Sequence, residues 1–308
     1  MRSAGPEAQT GRVVSLGMIF QPSFPPERLR AIARRAEAAG IDELWVFEDC
    51  FKESGIAAMV AALAATDRIR VGVGILPMPL RDVALTAMEL ATIERLFPGR
   101  ARFGVGHGVL DWMGQVGRRV GSPLTLMREY VPALRELLGG GEVTTDGRYV
   151  HLDRVRLDWP PERRVPVLAG GEGPRTIAMT GTVADGTVLT TGTTPEMTRS
   201  AVDRIRAARE EAGRAGEHEV VVFVHTEFGE GAAARMEAEF DRWSLEGERR
   251  FAALGSDDEI VDVVQRFAAA GAGTVLLQSR SHEPDLEGWT DAAGRIAARL
   301  RERDRHAR

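Results

Sequence analysis

Cysteine and lysine are almost absent from the sequence. Cys50 is the single cysteine among 308 residues, so the chain can form no internal disulfide and no cluster of thiolates around a metal. Lys52 is the one lysine, which leaves almost no candidate for a Schiff base. We therefore expect no metal centre, and any charged side chain that binds phosphate must be an arginine.

Long apolar runs and excess positive charge are absent as well. No eighteen consecutive residues are apolar, so no membrane-spanning helix is predicted. The first twelve residues, MRSAGPEAQTGR, lack the apolar centre of a secretory signal, and we expect a cytoplasmic protein. The net charge of −5 offers no basic surface for nucleic acid, so we expect a small-molecule substrate and neither nucleic acid nor membrane as partner.

Eight segments have the apolar, β-branched composition that is typical of buried strands. They span residues 13–20, 43–49, 68–76, 101–108, 165–171, 186–192, 219–227 and 274–280. Helical patterns separate them, as at 26–40, where apolar residues recur at helical spacing before a glycine. Strands of this kind joined by helices predict a parallel sheet, and a count of eight predicts its closure. The predicted fold is α/β, a (β/α)8 TIM barrel forming one domain over residues 1–308.

Two segments are longer than a connector needs to be, and both are predicted to be insertions. Residues 140–164, before strand five, hold an Asp-Gly turn between short alternating runs, which predicts a β-hairpin. Residues 228–258, after strand seven, are charged and predicted to be helical. Insertions at these junctions are typical sites of lids and substrate walls, so we expect specificity to reside in them.

In such barrels the reacting groups lie at the carboxyl ends of the strands. The fifth strand runs into VLAGGEGPR, in which glycines replace side chains before a helix begins. Such a turn presents bare N–H groups at a helix N-terminus, where the helix dipole also favours an anion. We predict a phosphate site made by two neighbouring strand ends, comprising Gly170, Gly171, Glu172, Gly173, Pro174, Arg175, Thr190, Thr191 and Gly192.

The alternative is that these glycines only form a tight turn beneath a packed helix. Other phosphate-binding motifs are absent from the sequence. The sequence has no GxxxxGK phosphate-binding loop. The runs GVGIL and GVGHG do not match the dinucleotide-binding pattern GxGxxG ahead of a helix.

Three stretches carry a family pattern and occur in the family's order. They are IDELWVFED, RIRVGVGILPMPLRDVALTAMELATIERLFPGRARFGVGHG and VPVLAGGEGPRTIAMTGTVADGTVLT. The sequence resembles the luciferase-like superfamily of flavin- and coenzyme F420-dependent oxidoreductases, over roughly residues 13–215 and the final strand and helix. The resemblance implies a (β/α)8 barrel with FMN or the deazaflavin F420 across its mouth and the phosphate at the ends of strands five and six.

The resemblance also assigns residues around the coenzyme. In GVGILP it implies a non-proline cis peptide bond between Gly74 and Ile75, behind the central ring of the coenzyme. In GVGHGVLDWM it places His107, Gly108 and Trp112 near the coenzyme. Taken alone, the first segment is equally explained as a core strand that contains glycine, and a histidine at a strand end is more often hydrogen-bonded than catalytic.

Acidic residues end the second strand. Sugar-phosphate dehydrogenases of the family carry an Asp-His pair there, whereas this sequence has Glu48 and Asp49, followed by Cys50. The missing histidine argues against that activity. Candidates for acid-base catalysis are Glu48, Asp49, His107 and, on the seventh strand, His225. The carboxylates could instead cap a helix or pair with an arginine, and His225 could belong to the core.

The implied chemistry belongs to the coenzyme, because flavin and deazaflavin carry the hydride on their own ring. We predict an oxidoreductase that uses F420 with a small organic substrate, for instance an activated C=C or C=N bond, and Phe20 is a further candidate substrate contact. An FMN-dependent monooxygenase is the alternative. Alternatives of another kind are a non-catalytic flavin-binding barrel and an unrelated barrel that acts on a sugar phosphate.

The helix IAAMVAALAAT, residues 56–66, has few polar side chains. Family members commonly pair through the helices beside strands two and three, so this helix could support a homodimer. Burial inside the monomer explains its composition equally well.

Overall fold

The structure is a computed structural model that describes residues 14–306; residues 1–13, which include MRSAGPEAQTGR, and 307–308 lie outside it. The strands of the described part are β1 (Ser15–Ile19), β2 (Glu43–Val46), β3 (Arg70–Pro77), β4 (Ala101–Gly106), β5 (Val143–Asp146), β6 (His151–Val155), β7 (Val167–Gly170), β8 (Gly186–Leu189), β9 (Glu219–Phe228), β10 (Ala252–Gly255) and β11 (Thr274–Gln278). The α-helices are α1 (Leu29–Ala38), α2 (Gly55–Ala65), α3 (Val83–Leu96), α4 (Leu110–Gln115), α5 (Pro123–Leu138), α6 (Pro174–Val183), α7 (Pro195–Glu211), α8 (Ala232–Arg242), α9 (Asp257–Ala269) and α10 (Leu286–His306).

All eight predicted strands are present, and they close into a barrel. Neighbouring strands are hydrogen-bonded in the order β10, β9, β11, β1, β2, β3, β4, β7, β8, and β8 pairs back onto β9. Every pairing in this sheet is parallel. The predicted (β/α)8 TIM barrel is confirmed. Among the helices between residues 14 and 306, none has both the length and the apolar composition that a membrane crossing requires.

The two insertions differ in how well the sequence predicted them. The hairpin is confirmed, because β5 and β6 pair antiparallel around the predicted turn. In the second insertion α8 is helical as predicted, but β10 was missed. Its sequence AALG has little intrinsic preference for a strand, and it is extended because it pairs with the carboxyl end of β9.

Alternation along the strands divides the apolar core into two parts. The larger part lies between the strands and the helices; α1 contributes Leu29, Ile32, Ala33 and Ala36, the apolar face expected from its helical spacing. The smaller part draws one or two residues from each of six strands, so it fills the barrel interior. Its members are Ile19, Trp45, Phe47, Leu168, Val188, Val221, Phe223 and Leu276.

The amino-terminal end of the barrel interior is closed by charged residues rather than apolar ones. Glu43 is fully buried and accepts hydrogen bonds from Trp45 Nε1 at 2.7 Å and Arg102 Nη1 at 3.2 Å. Arg70 Nη2 lies 2.8 Å from the same carboxylate, and Arg102 Nη2 lies 2.6 Å from Glu219. This network makes one end of the barrel a rigid floor and leaves the opposite end as the mouth.

Replacing Glu43 tests how strongly this floor supports the barrel. Glu43→Gln leaves two guanidinium groups facing a neutral amide, so we expect a loss of about 3 kcal/mol in the free energy of unfolding, measured by urea denaturation. Glu162→Gln is the control, because Glu162 is 84% exposed and its pairing with Arg95 should contribute less than about 1 kcal/mol. Equal stability losses in the two variants would show that the floor is not needed for the fold.

Candidate functional site

The mouth has an aromatic wall that the sequence analysis missed. Phe47 continues the inward-facing alternation of Glu43 and Trp45 beyond the end of β2. Its ring stacks on Phe223 with 6.5 Å between centroids and meets Trp243 edge-on at 6.4 Å. Counting alternate residues along β2 and β9 would have predicted the first two rings, but Trp243 reaches the mouth from the second insertion and has no local sequence signal.

The third strand contains the cis peptide bond that the family resemblance implied. The Gly74–Ile75 bond is cis, and the β3–β4 register shifts at this point. A Cβ atom on Gly170 would lie 2.7 Å from the Ile75 side chain, and one on Gly106 would lie 3.0 Å from it. Glycines on two neighbouring strands therefore leave the room that Ile75 occupies at the mouth.

The glycine-rich loop after β7 leads into a helix that no side chain caps. Helix α6 has Gly173 as its N-cap residue and Pro174 in its first turn. Space is open around Gly173, since a Cβ atom there would meet nothing within 4 Å. Arg175 is exposed and makes no hydrogen bond or ion pair with any residue between 14 and 306. The early N–H groups of α6 have no intrahelical acceptors and, with Arg175, form a positively polarised corner.

A carboxylate lies at this corner. Glu172 accepts a hydrogen bond from the Thr190 hydroxyl at 2.6 Å and one from Arg249 Nη1 at 3.2 Å. Arg249 also donates to the Thr191 carbonyl oxygen, and Gly192, at φ +81°, packs beneath it. Partial desolvation raises the pKa of the largely exposed Glu172 carboxyl group, but the Thr190 hydrogen bond and the Arg249 guanidinium outweigh it, and the net pKa is lowered. The strand ends predicted to bind phosphate are thus adjacent, and an anionic side chain lies between them.

Glu48 is engaged in a structural contact. Its carboxylate forms a two-point ion pair with Arg81, with Nη2 to Oε2 at 2.8 Å, and accepts the Gly55 N–H at 2.7 Å at the start of α2. By strand alternation Phe47 faces the barrel interior, so Glu48 faces outward. Of the two roles considered for it, the geometry favours pairing with an arginine over acid-base catalysis.

Asp49 is the carboxylate without a partner at the end of β2. Its side chain makes no hydrogen bond or ion pair with any residue in the described range, whereas its backbone carbonyl oxygen accepts the Lys52 N–H at 2.9 Å. Burial raises the pKa of Asp49 to about 6, and Lys52 opposes this only weakly. Its carboxyl group can therefore hold or release a proton near neutral pH, as an acid-base residue must. The neighbouring Cys50 is a free thiol whose pKa is raised by burial.

Two histidines, His107 after β4 and His225 in β9, have buried ring nitrogens without hydrogen-bond partners among residues 14–306. Burial lowers the pKa of His107, and it lowers that of His225 to about 4, so both rings are neutral at pH 7. His225 faces the rings of Phe240 and Trp243 at 6.1 and 6.2 Å. An unpaired ring N–H inside a protein is costly, so both side chains are suited to a bound molecule.

The remaining predicted residues divide between the mouth and the core. Gly108 has φ +67°, and a Cβ atom there would lie 2.9 Å from Pro77, so this turn requires glycine. Trp112 lies half-buried on α4, just after it. Phe20 was wrongly placed: it is fully buried in the helix-facing core and packs on Phe24 at 5.6 Å. Alternation explains the error, because Ile19, not Phe20, faces the interior.

Comparison with known proteins identifies the family. The model of the luciferase-like monooxygenase family matches residues 5–244. The chain belongs to this family. Its barrel, the cis bond at Gly74 and the glycine-rich turn after β7 are thus features of a luciferase-like protein, and the resemblance drawn from the sequence is confirmed.

Proteins similar to this chain in sequence or fold include a reductase, a dehydrogenase and a monooxygenase. The luciferase-like chain is 30% identical over 202 residues to 5,10-methylenetetrahydromethanopterin reductase of Methanolobus tindarius, a match covering 65% of this chain and 61% of that protein. An F420-dependent secondary alcohol dehydrogenase bound to an F420-acetone adduct superposes with a TM-score of 0.82 at 20% identity, covering 93% of this chain and 99% of the other. The oxygenating constituent of 3,6-diketocamphane monooxygenase of Pseudomonas putida, bound to FMN, gives 0.75 at 15% identity over 94% and 98%. The sequence match thus spans about three fifths of the reductase.

The residues at the mouth fit a coenzyme that carries a phosphate and a planar aromatic ring system. Open space around Gly173 and the uncapped start of α6 suit an anion. The unpartnered nitrogens of His107 and His225 suit a polar group of a ligand, and Phe47 and Ile75 provide apolar surface.

The pKa of Asp49 predicts a pH-dependent loss of stability. The folded-state pKa of about 6 exceeds the ordinary value of 3.8, so the folded protein disfavours the ionised carboxylate. The free energy of unfolding therefore falls as pH rises from about 3.8 through about 6. The difference in unfolding free energy between Asp49→Asn and the wild type should therefore increase by about 1 kcal/mol from pH 5 to pH 8, in favour of the variant, as measured by urea denaturation. Asp111→Asn, at a side chain that is 90% exposed, should show no such gain. A pH-independent difference for Asp49→Asn would mean that the carboxyl group titrates normally.

Proposed function

We propose that this luciferase-like protein is an oxidoreductase that transfers hydride between coenzyme F420 and a small organic substrate, such as one with an activated C=C or C=N bond. The observation that carries the proposal is the open, uncapped start of α6 beside the cis bond that precedes Ile75. The F420-bound dehydrogenase that shares the fold supports the choice of coenzyme.

Each predicted residue has a proposed role in holding the coenzyme. The loop Gly170–Gly173 and the N–H groups after Pro174 would bind its phosphate, with Arg175 as an exposed cation and Thr190, Thr191 and Gly192 alongside. Gly74, Ile75, Gly108 and Trp112 would hold the ring. When bound, the coenzyme supplies the hydride acceptor or donor, and no protein nucleophile is needed.

The protein's own contribution would be proton exchange and the exclusion of water. Asp49 is the favoured acid-base residue, because its pKa of about 6 lets the carboxyl group occur in either form near neutral pH. His107 and His225, neutral and without partners in the described range, would donate or accept one hydrogen bond each to substrate or coenzyme. Glu48 would act by positioning, since it holds Arg81 and the start of α2 around Asp49.

An FMN-dependent monooxygenase is the second candidate, favoured by the likeness to the FMN-bound monooxygenase. Both coenzymes carry a phosphate and a tricyclic ring, so the same corner would serve either. A purified protein titrated with F420 and with FMN, followed by absorbance, separates the candidates. We expect F420 to bind more tightly and its absorbance to change with an accepted substrate. Tighter binding of FMN with consumption of oxygen would favour the monooxygenase, and binding without turnover of any substrate would favour a non-catalytic barrel.

A charge placed at the start of α6 tests the phosphate site. Gly173→Asp should weaken F420 binding by about tenfold or more, because a carboxylate would repel the phosphate at the uncapped N–H groups. Gly173→Asn has the same shape without the charge and should weaken binding much less, since the space around Gly173 is open. Dissociation constants from fluorescence titration provide the measurement. Equal effects of the two substitutions would place the phosphate elsewhere.

We also propose a homodimer that forms through α2 and α3. The outer face of α3 exposes Leu85, Met88 and Leu96, at 46%, 57% and 64%, in positions that share one side of a helix. Helix α2 presents Ala57 and Ala64 to solvent on its outer face. Exposed apolar side chains that share one side of a helix are typical of an interface between subunits.

A charge on this face tests the dimer. The wild type should elute at twice the mass of the 33.5 kDa chain in light-scattering chromatography, and Met88→Arg should shift it to the monomer, because a buried unpaired charge opposes association. Val116→Arg, at an exposed apolar residue outside α2 and α3, should leave the dimer intact. A monomeric wild type would contradict the proposal.

A further inference from the structure

The segment between α8 and β10, residues 243–250, crosses the mouth. At one end Trp243 packs on Phe47 and donates its Nε1 hydrogen to the buried Glu239 at 2.7 Å. Farther along, Leu245 is buried and lies under Gly192, where an added Cβ atom would approach it to 2.9 Å. We call residues 243–250 the crossing segment. It covers the mouth from the barrel interior to the glycine-rich corner.

Arg249 is where the crossing segment meets that corner. Its guanidinium group bonds to Glu172 at 3.2 Å and to the Thr191 carbonyl oxygen at 3.3 Å. The Arg249 and Glu172 side chains are 39% and 57% exposed, so solvent screens the pair and it contributes little stability by itself. The contact can therefore exchange partners at small cost.

The adjacent arginine behaves differently. Arg250 pairs with Glu237 and bonds to Asp241 at 2.8 Å, and both acids lie on α8. Arg250 thus fixes the segment to its own helix, whereas Arg249 points toward the strand ends. Arg250 therefore anchors the crossing segment to α8, and Arg249 connects it to the ends of the strands.

We infer that Arg249 is a phosphate-binding residue supplied by the insertion, and that Glu172 lies at the position that the coenzyme's phosphate takes on binding. A phosphate ester offers the same pair of oxygen acceptors as a carboxylate and binds the guanidinium fork at least as well. On binding, Arg249 passes from Glu172 to the phosphate, Glu172 turns outward, and the crossing segment stays closed over the coenzyme. This inference rests on the proposed function, since it requires a coenzyme with a phosphate.

The two side chains should have opposite effects on affinity. Arg249→Gln should raise the F420 dissociation constant about tenfold, as the loss of a charged hydrogen bond predicts. Glu172→Gln should lower it severalfold, because a neutral amide competes less for Arg249. In the double variant Glu172→Gln should no longer lower the dissociation constant, because the Arg249 guanidinium for which the Glu172 carboxylate competed is gone. Arg250→Gln and Glu248→Gln make the same charge changes in the crossing segment and should leave the constant within about twofold.

Fluorescence titration with F420, and with FMN as a second phosphate ester, measures these constants without turnover. A wild type that binds neither coenzyme would refute the proposed function, and the inference with it. Binding by the wild type with Arg249→Gln equal to Arg250→Gln would refute the inference alone. So would weaker binding by Glu172→Gln, which would make Glu172 a ligand of the coenzyme instead of its competitor.

Discussion

The bare N–H groups at the start of α6 are the constraint on which the mouth depends. A helix must satisfy its first four N–H groups, and α2, α3, α5, α7 and α9 each do so in part with a capping side chain. Helix α6 has no such cap, as is also true of α1, α4 and α8, and it begins at Gly173 and Pro174 just beyond the carboxyl end of a barrel strand. Its partial positive charge faces the place where the barrel fold puts its ligands. Glu172, Thr190 and the crossing segment are all arranged around this charge.

Strand alternation explains the rest of the site. Along β2 the inward residues are a charge at the floor, Glu43, then Trp45 in the middle layer and Phe47 at the mouth. The floor network fixes the amino-terminal end, so the barrel opens only at the other end. There the glycines on β4 and β7 leave room for Ile75, and the rings of Phe240 and Trp243 pack beside His225. An apolar, aromatic wall beside a positively polarised helix start suits the proposed hydride chemistry, with which water would compete.

Features that depend on the local sequence pattern were predicted correctly. Apolar runs located all eight barrel strands, the Asp-Gly turn located the hairpin, and the family motifs located the cis bond at Gly74. Features that depend on contacts between residues far apart in the chain were not predicted. The strand β10 is extended because it pairs with β9. Trp243 and Arg249 lie at the mouth because the second insertion folds across it. The prediction for Phe20 was wrong because Phe20 ends a strand but, by alternation, faces the helices. Counting inward positions from Trp45 would have selected Phe47 instead.

The most direct test is the crystal structure of the protein soaked with F420. The phosphate should lie about 3 Å from the N–H groups of Arg175 and Thr176, with the guanidinium of Arg249 against it and Glu172 displaced. An ordered F420 whose phosphate lies away from the start of α6, with Glu172 still bound to Arg249, would contradict the central claim that this helix terminus anchors the coenzyme.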